Sequence, residues 1–92
     1  MKFEWDNKKY ESNSKKHGVS FEEASTVFGD PLSLTIQDSL HSIDEDRFII
    51  MGMSSTMRFL VVSHVCRDDN HVRIISAREA TTQERRNYES GT

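Results

Sequence analysis

The feature that most constrains the fold is a change in the spacing of apolar residues near Leu32. Just before it, Phe21, Ala24, Val27 and Phe28 recur at the three- and four-residue intervals of a helix, and after it apolar side chains alternate with polar ones, as in strands. Three apolar runs follow with only short turns between them: Arg47–Ser54, Arg58–Arg67 and His71–Ala77. Because short turns join antiparallel neighbours, these runs predict an antiparallel sheet.

Two helices are predicted ahead of the sheet. Asp6 has the residue type and position of an N-cap for a helix over Asn7–His17, and Gly18 is placed to end that helix. Ser20, with Glu23 three residues later, has the spacing of a capping box and starts the second helix. The two helices therefore meet at the glycine.

The remaining segments complete the predicted order. A short strand at 1–5, a strand at 32–38 and a last helix from Arg78 give β-α-α-β-β-β-β-α. We expect an α+β architecture with an antiparallel sheet of four to five strands, one face of which is covered by helices. The 92 residues are enough for one domain, 1–92, with a thin core.

Charge and composition limit the classes of function. A net charge of −3 argues against a protein that coats nucleic acid, although a local cluster of arginines can still bind a phosphate. The single cysteine, Cys66, cannot form an internal disulfide, which fits a reducing cytoplasm. No apolar run approaches the roughly 20 residues that span a bilayer. We expect a soluble cytoplasmic protein with no membrane partner.

The end of the chain, "VRIISAREATTQERRNYE", joins an apolar strand to a charged helix. At about 100° per residue, Arg78 and Arg85 lie on one side of that helix, while Glu84 and Tyr88 turn toward the sheet. Two interpretations stay open on physical grounds, a solvated amphipathic lid with surface ion pairs or a phosphate-handling site. Arg86 points away from both faces and is a surface charge in either case.

The turn at residues 68–70 is predicted to gather Arg67, Arg73, His64 and His71 in one neighbourhood. Arginine makes bidentate, permanently charged contacts with phosphate, and histidine transfers protons near neutral pH. This combination suits RNA cleavage, in which a ribose 2′-OH attacks the adjacent phosphate. A half-buried packing residue is an equally good interpretation of His64.

Other clusters indicate chemistry more weakly. Lys15 and His17 end the first helix, where cations also complement the helix dipole. His41 with residues 44–46 forms a carboxylate-rich group that raises a metal hypothesis, but its spacing matches no known loop motif. There is no zinc-site spacing, phosphate loop or nucleophile elbow. We therefore expect no metal and no cofactor.

The chain contains several distinctive short sequence motifs between Phe3 and Glu89: "FEWD", "KHGVSFEEA", "VFGDP", "HS…DEDR", "GMS", "RFLVV" and "RIISAREAT…ERRNYE". Together they resemble the BrnT family of type II toxins over nearly the whole chain. The resemblance implies a RelE-like endoribonuclease fold and an RNA-cleaving toxin that arrests bacterial growth. The acidic balance of this chain departs from the basic surface usual among RelE-like nucleases.

The resemblance also implies partners. A BrnA-type antitoxin with a ribbon-helix-helix part would neutralise the toxin, and operator DNA would be bound only through that antitoxin, in a dimeric or higher assembly that represses its own promoter. Two rival functions stay open. One is a catalytically silent partner or co-repressor of the antitoxin, and the other is a metal hydrolase built around His41.

The resemblance, taken together with the strand pattern, implies which residues would serve a metal-independent endoribonuclease. The expected catalytic residues are Arg58, Arg78, Glu84, Arg85 and Tyr88. The expected RNA-binding residues are Lys15, His17, His64, Arg67 and Arg73.

Overall fold

Five strands form one sheet in the order β1-β5-β4-β3-β2, in a computed structural model that describes residues 1–41 and 46–90. The element order is the predicted β-α-α-β-β-β-β-α. The bounds are β1 Lys2–Glu4, α1 Asn7–His17, α2 Phe21–Thr26, β2 Leu34–Gln37, β3 Arg47–Met53, β4 Phe59–Asp68, β5 His71–Glu79 and α3 Thr82–Ser90. None of the described helices is both long and apolar enough to cross a membrane. Asp44 and Glu45, which the metal hypothesis requires, lie outside the described residues.

The sheet is mixed, which corrects the expectation of a wholly antiparallel one. β2, β3, β4 and β5 pair antiparallel as predicted, but β1 runs parallel to β5, with Lys2 opposite His71. The direction of the other pairs follows from short connections. β1 is separated from β5 by most of the chain, so no local turn specifies how the two strands pair.

The helices lie on both faces of the sheet rather than on one. α1 and α2 cover the face that carries the core, where Phe21 and Leu60 are fully buried. Tyr10 is the aromatic anchor of the polar helix α1 and packs against Trp5 and Phe21 at centroid distances of 5.8 and 5.5 Å. On the opposite face, α3 packs through an aromatic side chain against Phe59, at the start of β4.

The boundary between the last strand and the last helix differs from the prediction. Arg78 and Glu79 belong to β5, because they pair with β4, and the helix begins only at Thr82. Thr81 and Glu84 form a capping box, in which the Glu84 N–H donates to Thr81 Oγ1 (3.1 Å) and the Thr81 N–H donates to Glu84 Oε1 (2.8 Å). The T-x-x-E spacing was present in the sequence and was missed.

Asn13 joins α1 to β5 by hydrogen bonds, at the part of the β5 edge that does not pair with β1. β1 pairs only with residues 71–73 of β5. Farther along that strand, Asn13 Oδ1 accepts from the Ala77 N–H (3.0 Å), and Nδ2 donates to the carbonyls of Ala77 (2.8 Å) and Val19 (3.1 Å). The side-chain amide therefore takes the place of a peptide group of a neighbouring strand.

Gly52 lies where β3 passes beneath the loop after α2. An added Cβ would meet Asp30 Oδ2 at 2.9 Å and Ser33 Cβ at 3.0 Å. We expect Gly52→Ala to destabilise the protein by about 1–3 kcal/mol, because an extra methyl group overpacks a close contact. Urea denaturation measures this change. Gly29→Ala is the control, since nothing lies within 4 Å of its added Cβ. Equal stability of the two variants would contradict the prediction.

Candidate active site

A cavity of about 400 Å³ opens where the start of β4, the end of β5 and the start of α3 meet. Two of the predicted catalytic arginines, Arg58 and Arg85, line it together with Glu79. The rest of the lining is formed by Met57, Phe59, Ala80, Thr81 and Thr82. The cavity thus combines two permanent positive charges with one exposed carboxylate.

Arg58 is held in place by Glu23 from α2. Arg58 Nε donates to Glu23 Oε2 (2.9 Å), Nη2 donates to the other carboxylate oxygen, and Nη2 also donates to the Gly18 carbonyl (3.1 Å). Ser54 and the neighbouring Thr56 hydroxyl add hydrogen bonds to the same carboxylate. The hydrogen bonds from Arg58, followed by those from the two hydroxyls, lower the pKa of Glu23 to about 2.

Glu23 therefore does not complete the predicted capping box. Its own N–H donates to Ser20 Oγ (3.0 Å), as the motif requires, but its side chain turns to the arginine. Arg58 Nη1 has no hydrogen-bond partner within residues 1–41 and 46–90. Hydrogen bonds from Nε and Nη2 therefore orient the Arg58 guanidinium, and Nη1 is left as a donor for a ligand.

Arg85 is bound much more loosely than Arg58. Its Nε donates to Glu89 Oε1 (2.9 Å) in an i,i+4 pair whose side chains are 56% and 61% exposed. Such surface pairs contribute at most about 1 kcal/mol. The guanidinium carbon lies 5.6 Å from the centre of the Phe59 ring, in a cation–π contact. Arg85 can therefore exchange its carboxylate for a phosphate at little cost.

Arg78 and Glu84 form a bidentate ion pair at the sheet–helix junction. Arg78 Nη1 and Nη2 donate to the two carboxylate oxygens at 2.7 and 2.8 Å. The hydrogen bonds from Arg78, then the one from the Thr81 backbone, lower the pKa of Glu84 to about 2. A carboxylate with that pKa accepts protons poorly near neutral pH. Neither residue lines the cavity, so the geometry favours a positioning role for this pair.

Tyr88 turns toward the sheet, as its spacing from Glu84 predicts. Its ring packs edge-on against Phe59 at 4.5 Å. It lines a separate apolar pocket of about 120 Å³, on the other side of α3, together with Leu34, Ile36, Ile49, Met51 and Asn87. Burial, followed by the charge of Asp30, raises the pKa of its hydroxyl. The arrangement makes Tyr88 the anchor of α3.

Glu79 is the cavity residue that the sequence reasoning did not single out. The sequence prediction starts the last helix at Arg78 and gives Glu79 no role. The strand signal that continues through "RIISARE" would have placed it at the end of β5, beside the start of β4.

The other predicted RNA-binding residues do not converge on this cavity. Arg67 lies near the far end of β4, about 30 Å from Arg58 at the usual rise per residue of a strand, and its guanidinium is 4.0 Å from Glu4. Arg73 lies on β5 opposite Val65, toward the same end. The predicted residues are therefore divided between the two ends of the hairpin.

His64 is a core residue in this structure. Only 3% of its surface is exposed, and its ring lies 4.8 Å from the ring of Phe28 and 6.1 Å from that of Phe48. Burial lowers the pKa of His64, which keeps the ring neutral. The structure does not place His64 where RNA could reach it, because its side chain is buried against the rings of Phe28 and Phe48.

Lys15 and His17 separate at the end of α1. His17 lines a second groove, between α1 and β5, whereas Lys15 lines neither this groove nor the cavity. A role for Lys15 in RNA binding stays a prediction. His17 is followed directly by Gly18, whose carbonyl accepts from Arg58. The groove and the cavity are thus neighbours.

The two low-pKa carboxylates predict a loss of stability in acid. Glu23 and Glu84 have pKa values of about 2 in the folded protein against an ordinary value of 4.5, so the folded state favours their ionised forms. Their stabilisation is complete above about pH 5 and is lost as the pH falls toward 2. We expect the free energy of unfolding to fall by about 2–3 kcal/mol for each group across that range.

Urea denaturation at a series of pH values measures this acid loss. Glu23→Gln is expected to be less stable at pH 7 and to flatten the pH profile, because the side chain no longer titrates. Glu11→Gln, an exposed change on α1, controls for the loss of one carboxylate. A pH profile of Glu23→Gln that runs parallel to that of the parent chain would contradict the prediction.

The fold and the cavity define a class: a small α+β protein with a compact arginine-lined site, suited to an anionic group, where its sheet meets its last helix. The sequence profile of the family described as the ribonuclease toxin BrnT of type II toxin–antitoxin systems matches residues 5–84. The chain belongs to this BrnT family. A type II toxin of this kind has a protein antitoxin as its partner.

A solved structure supports the fold independently. The crystal structure of the ribonuclease toxin BrnT of Brucella abortus superposes with a TM-score of 0.70, over 89% of this chain and 99% of the other, at 21% sequence identity. A search of curated protein sequences gave no match. The structural likeness therefore bears on the fold, and the family assignment comes from the sequence profile.

Proposed function

We propose that this chain is a metal-independent endoribonuclease that cleaves RNA in the cavity lined by Arg58, Glu79 and Arg85. The observation that carries the proposal is this pairing of two guanidinium groups with an exposed carboxylate, in a member of a family of ribonuclease toxins. The arginines can bind and neutralise a phosphate, and the carboxylate can accept a proton.

The proposed reaction uses the RNA's own ribose as nucleophile. Glu79 accepts the proton of a ribose 2′-OH, the 2′-oxygen forms a bond to the adjacent phosphorus, and the bond from phosphorus to the 5′-oxygen breaks. The leaving 5′-oxygen takes a proton from water. The products carry a 2′,3′-cyclic phosphate and a 5′-OH. Arg58 and Arg85 stabilise the negative charge that develops on the phosphoryl oxygens.

The two arginines have different roles in the proposed reaction, because their ion pairs differ in strength. The Glu23 ion pair fixes Arg58, so it presents a preorganised charge to the phosphate. Arg85 leaves its exposed partner and closes on the same phosphate. The Arg78–Glu84 pair and Tyr88 hold α3 against the sheet and thereby position Arg85.

The proposed partner is a BrnA-type antitoxin with a ribbon-helix-helix part, and operator DNA would be bound only through it. The support for this partner is the family assignment, because a type II toxin is paired with a protein antitoxin. Copurification with the product of the neighbouring reading frame tests the pairing, and a partner without a ribbon-helix-helix pattern would contradict it.

Purified, partner-free protein incubated with RNA in the presence of EDTA tests the activity. The proposal predicts cleavage products with 2′,3′-cyclic phosphate ends, undiminished by the chelator. Complete inhibition by EDTA would contradict the metal-independent mechanism. Replacing the 2′-OH groups with hydrogen is expected to abolish cleavage, since the nucleophile is then missing.

A catalytically silent antitoxin partner is the second candidate function. The observation that favours it is that Arg58, Arg78 and Arg85 are all ion-paired in this structure. Induction of the chain in cells without antitoxin separates the two functions. Arrested growth with degraded RNA supports the nuclease, and unaffected growth with intact RNA supports the silent partner.

A further inference from the structure

All five lysines of the chain lie in its first sixteen residues, and four of them are on α1. α1 carries four lysines and one glutamate, a formal charge of +3, in a chain whose net charge is −3. The remainder of the molecule therefore carries −6. The acidic balance of the whole chain conceals one strongly cationic element.

Three of these lysines line a groove between α1 and β5. The groove has a volume of about 320 Å³ and is lined by Lys8, Lys9, Ser12, Asn13, Lys16, His17, Ile75 and Ser76. Lys8, Ser12 and Lys16 are spaced four residues apart and so form one stripe along the helix. A small hydroxyl between two long cationic side chains leaves room for a ligand.

The groove lysines have no carboxylate partner within residues 1–41 and 46–90. The two cavity arginines, by contrast, are both ion-paired. Lys8 and Lys9 also lie in the first turn of α1, where the helix dipole disfavours positive charge. Helix stability therefore does not account for their presence, although it does account for Lys16 at the other end.

A hydrogen bond links the end of the groove to the candidate active site. His17 lines the groove, the next residue is Gly18, and the Gly18 carbonyl accepts from Arg58 Nη2 (3.1 Å). Arg58 in turn lines the cavity with Arg85. The groove lysines and the cavity arginines thus belong to segments that are joined at this glycine.

We propose that the groove of Lys8, Lys9 and Lys16 binds the phosphate backbone of the single-stranded RNA that enters the cavity. This inference rests on the proposed ribonuclease function and adds the binding site that holds the flanking nucleotides. Unpaired lysines suit this task, because they hold phosphates as point charges without reading the bases. An acidic protein segment is the competing occupant.

The test measures binding of a 2′-O-methyl RNA oligonucleotide, which cannot be cleaved, by fluorescence anisotropy over a range of salt concentrations. Lys8→Ala/Lys16→Ala is compared with Lys2→Ala/Arg86→Ala, which removes two charges outside the groove. We expect the groove variant to bind roughly tenfold more weakly and to lower the salt slope by about 1.4, as the loss of two phosphate contacts implies. The control is expected to change both quantities much less.

Each outcome is decisive for the groove. Equal losses in the two variants would overturn the inference, since net charge alone would explain them. Unchanged RNA binding combined with lost antitoxin binding would also overturn it and assign the groove to the protein partner. Groove-dependent binding by a protein that cleaves no RNA would support the inference and contradict the proposed function. Circular dichroism verifies that both exposed double variants fold.

Discussion

Asn13→Ala is expected to destabilise the protein by about 3–5 kcal/mol, because it leaves three buried backbone groups without partners. Asn13 is only 7% exposed. Without its side-chain amide, the N–H and carbonyl of Ala77 and the carbonyl of Val19 lose their hydrogen bonds to it. A loss of this size is a large part of the 5–15 kcal/mol typical of whole domains. The melting temperature is expected to fall by roughly 15 °C or more.

Thermal and urea denaturation of Asn13→Ala measure this effect, with Ser12→Ala as the control one residue away. Ser12 is exposed, so its substitution should change the free energy of unfolding by less than about 0.5 kcal/mol. Asn13→Asp should also be unstable, since a carboxylate cannot donate to two carbonyls. If the free energy of unfolding of Asn13→Ala lies within about 1 kcal/mol of the parent value, the strand-edge role is contradicted, since several unpaired buried groups cost more than that.

Arg85→Ala is expected to lower the rate of RNA cleavage by about 10²–10³-fold, the usual loss when one group that stabilises the transition-state charge is removed. The fold should survive, because Arg85 is exposed and its ion pair with Glu89 is weak. Single-turnover cleavage with saturating protein separates this effect from weaker binding of RNA.

Arg86→Ala is the matched control for the cleavage experiment, since it removes the same charge from the next residue of α3. Arg86 is exposed and does not line the cavity. We expect its cleavage rate to stay within about twofold of the parent rate, in keeping with a surface charge that only weakly attracts RNA. Similar rates for the Arg85 and Arg86 variants would remove Arg85 from the mechanism.

The elements that local signals specify were predicted closely. α1 runs over Asn7–His17 as expected, because Asp6 caps it, with the Lys9 N–H donating to Asp6 Oδ2 (3.1 Å), and Gly18 ends it in the left-handed conformation. β3 and β4 follow the alternation of apolar residues to within one residue at each end. Caps and periodicity act over a few residues, so the sequence displays them directly.

The features that were missed depend on contacts between distant segments. The parallel pairing of β1 joins residue 2 to residue 71. Glu23 satisfies a capping spacing but bonds Arg58, 35 residues away. Asn13 belongs to a helix in which Tyr10 is the only large apolar residue, and nothing in the local sequence distinguishes Asn13 as buried. Sequence patterns indicate which groups are polar, and only the folded chain shows where they pair.

The candidate site was predicted in outline and changed in detail. The sequence predicts Arg58 and Arg85 as catalytic residues; in the structure both line one cavity, and their catalytic roles stay predictions. The apolar pattern of β4 did not reveal that His64 is buried, because alternation along a strand cannot distinguish a strand with one buried face from a strand with two. Glu79 was not predicted to lie at the site, because the last strand extends two residues beyond its predicted end.

An NMR titration of isotope-labelled protein with 2′-O-methyl RNA tests directly whether RNA is bound where β4, β5 and α3 meet. We expect the amide signals of Arg58, Thr81 and Arg85 to move with added RNA, together with those of the α1 groove. Signals at the far hairpin end, around residues 68–71, should stay in place. Shifts confined to that far end, with the cavity signals unchanged, would contradict this expectation.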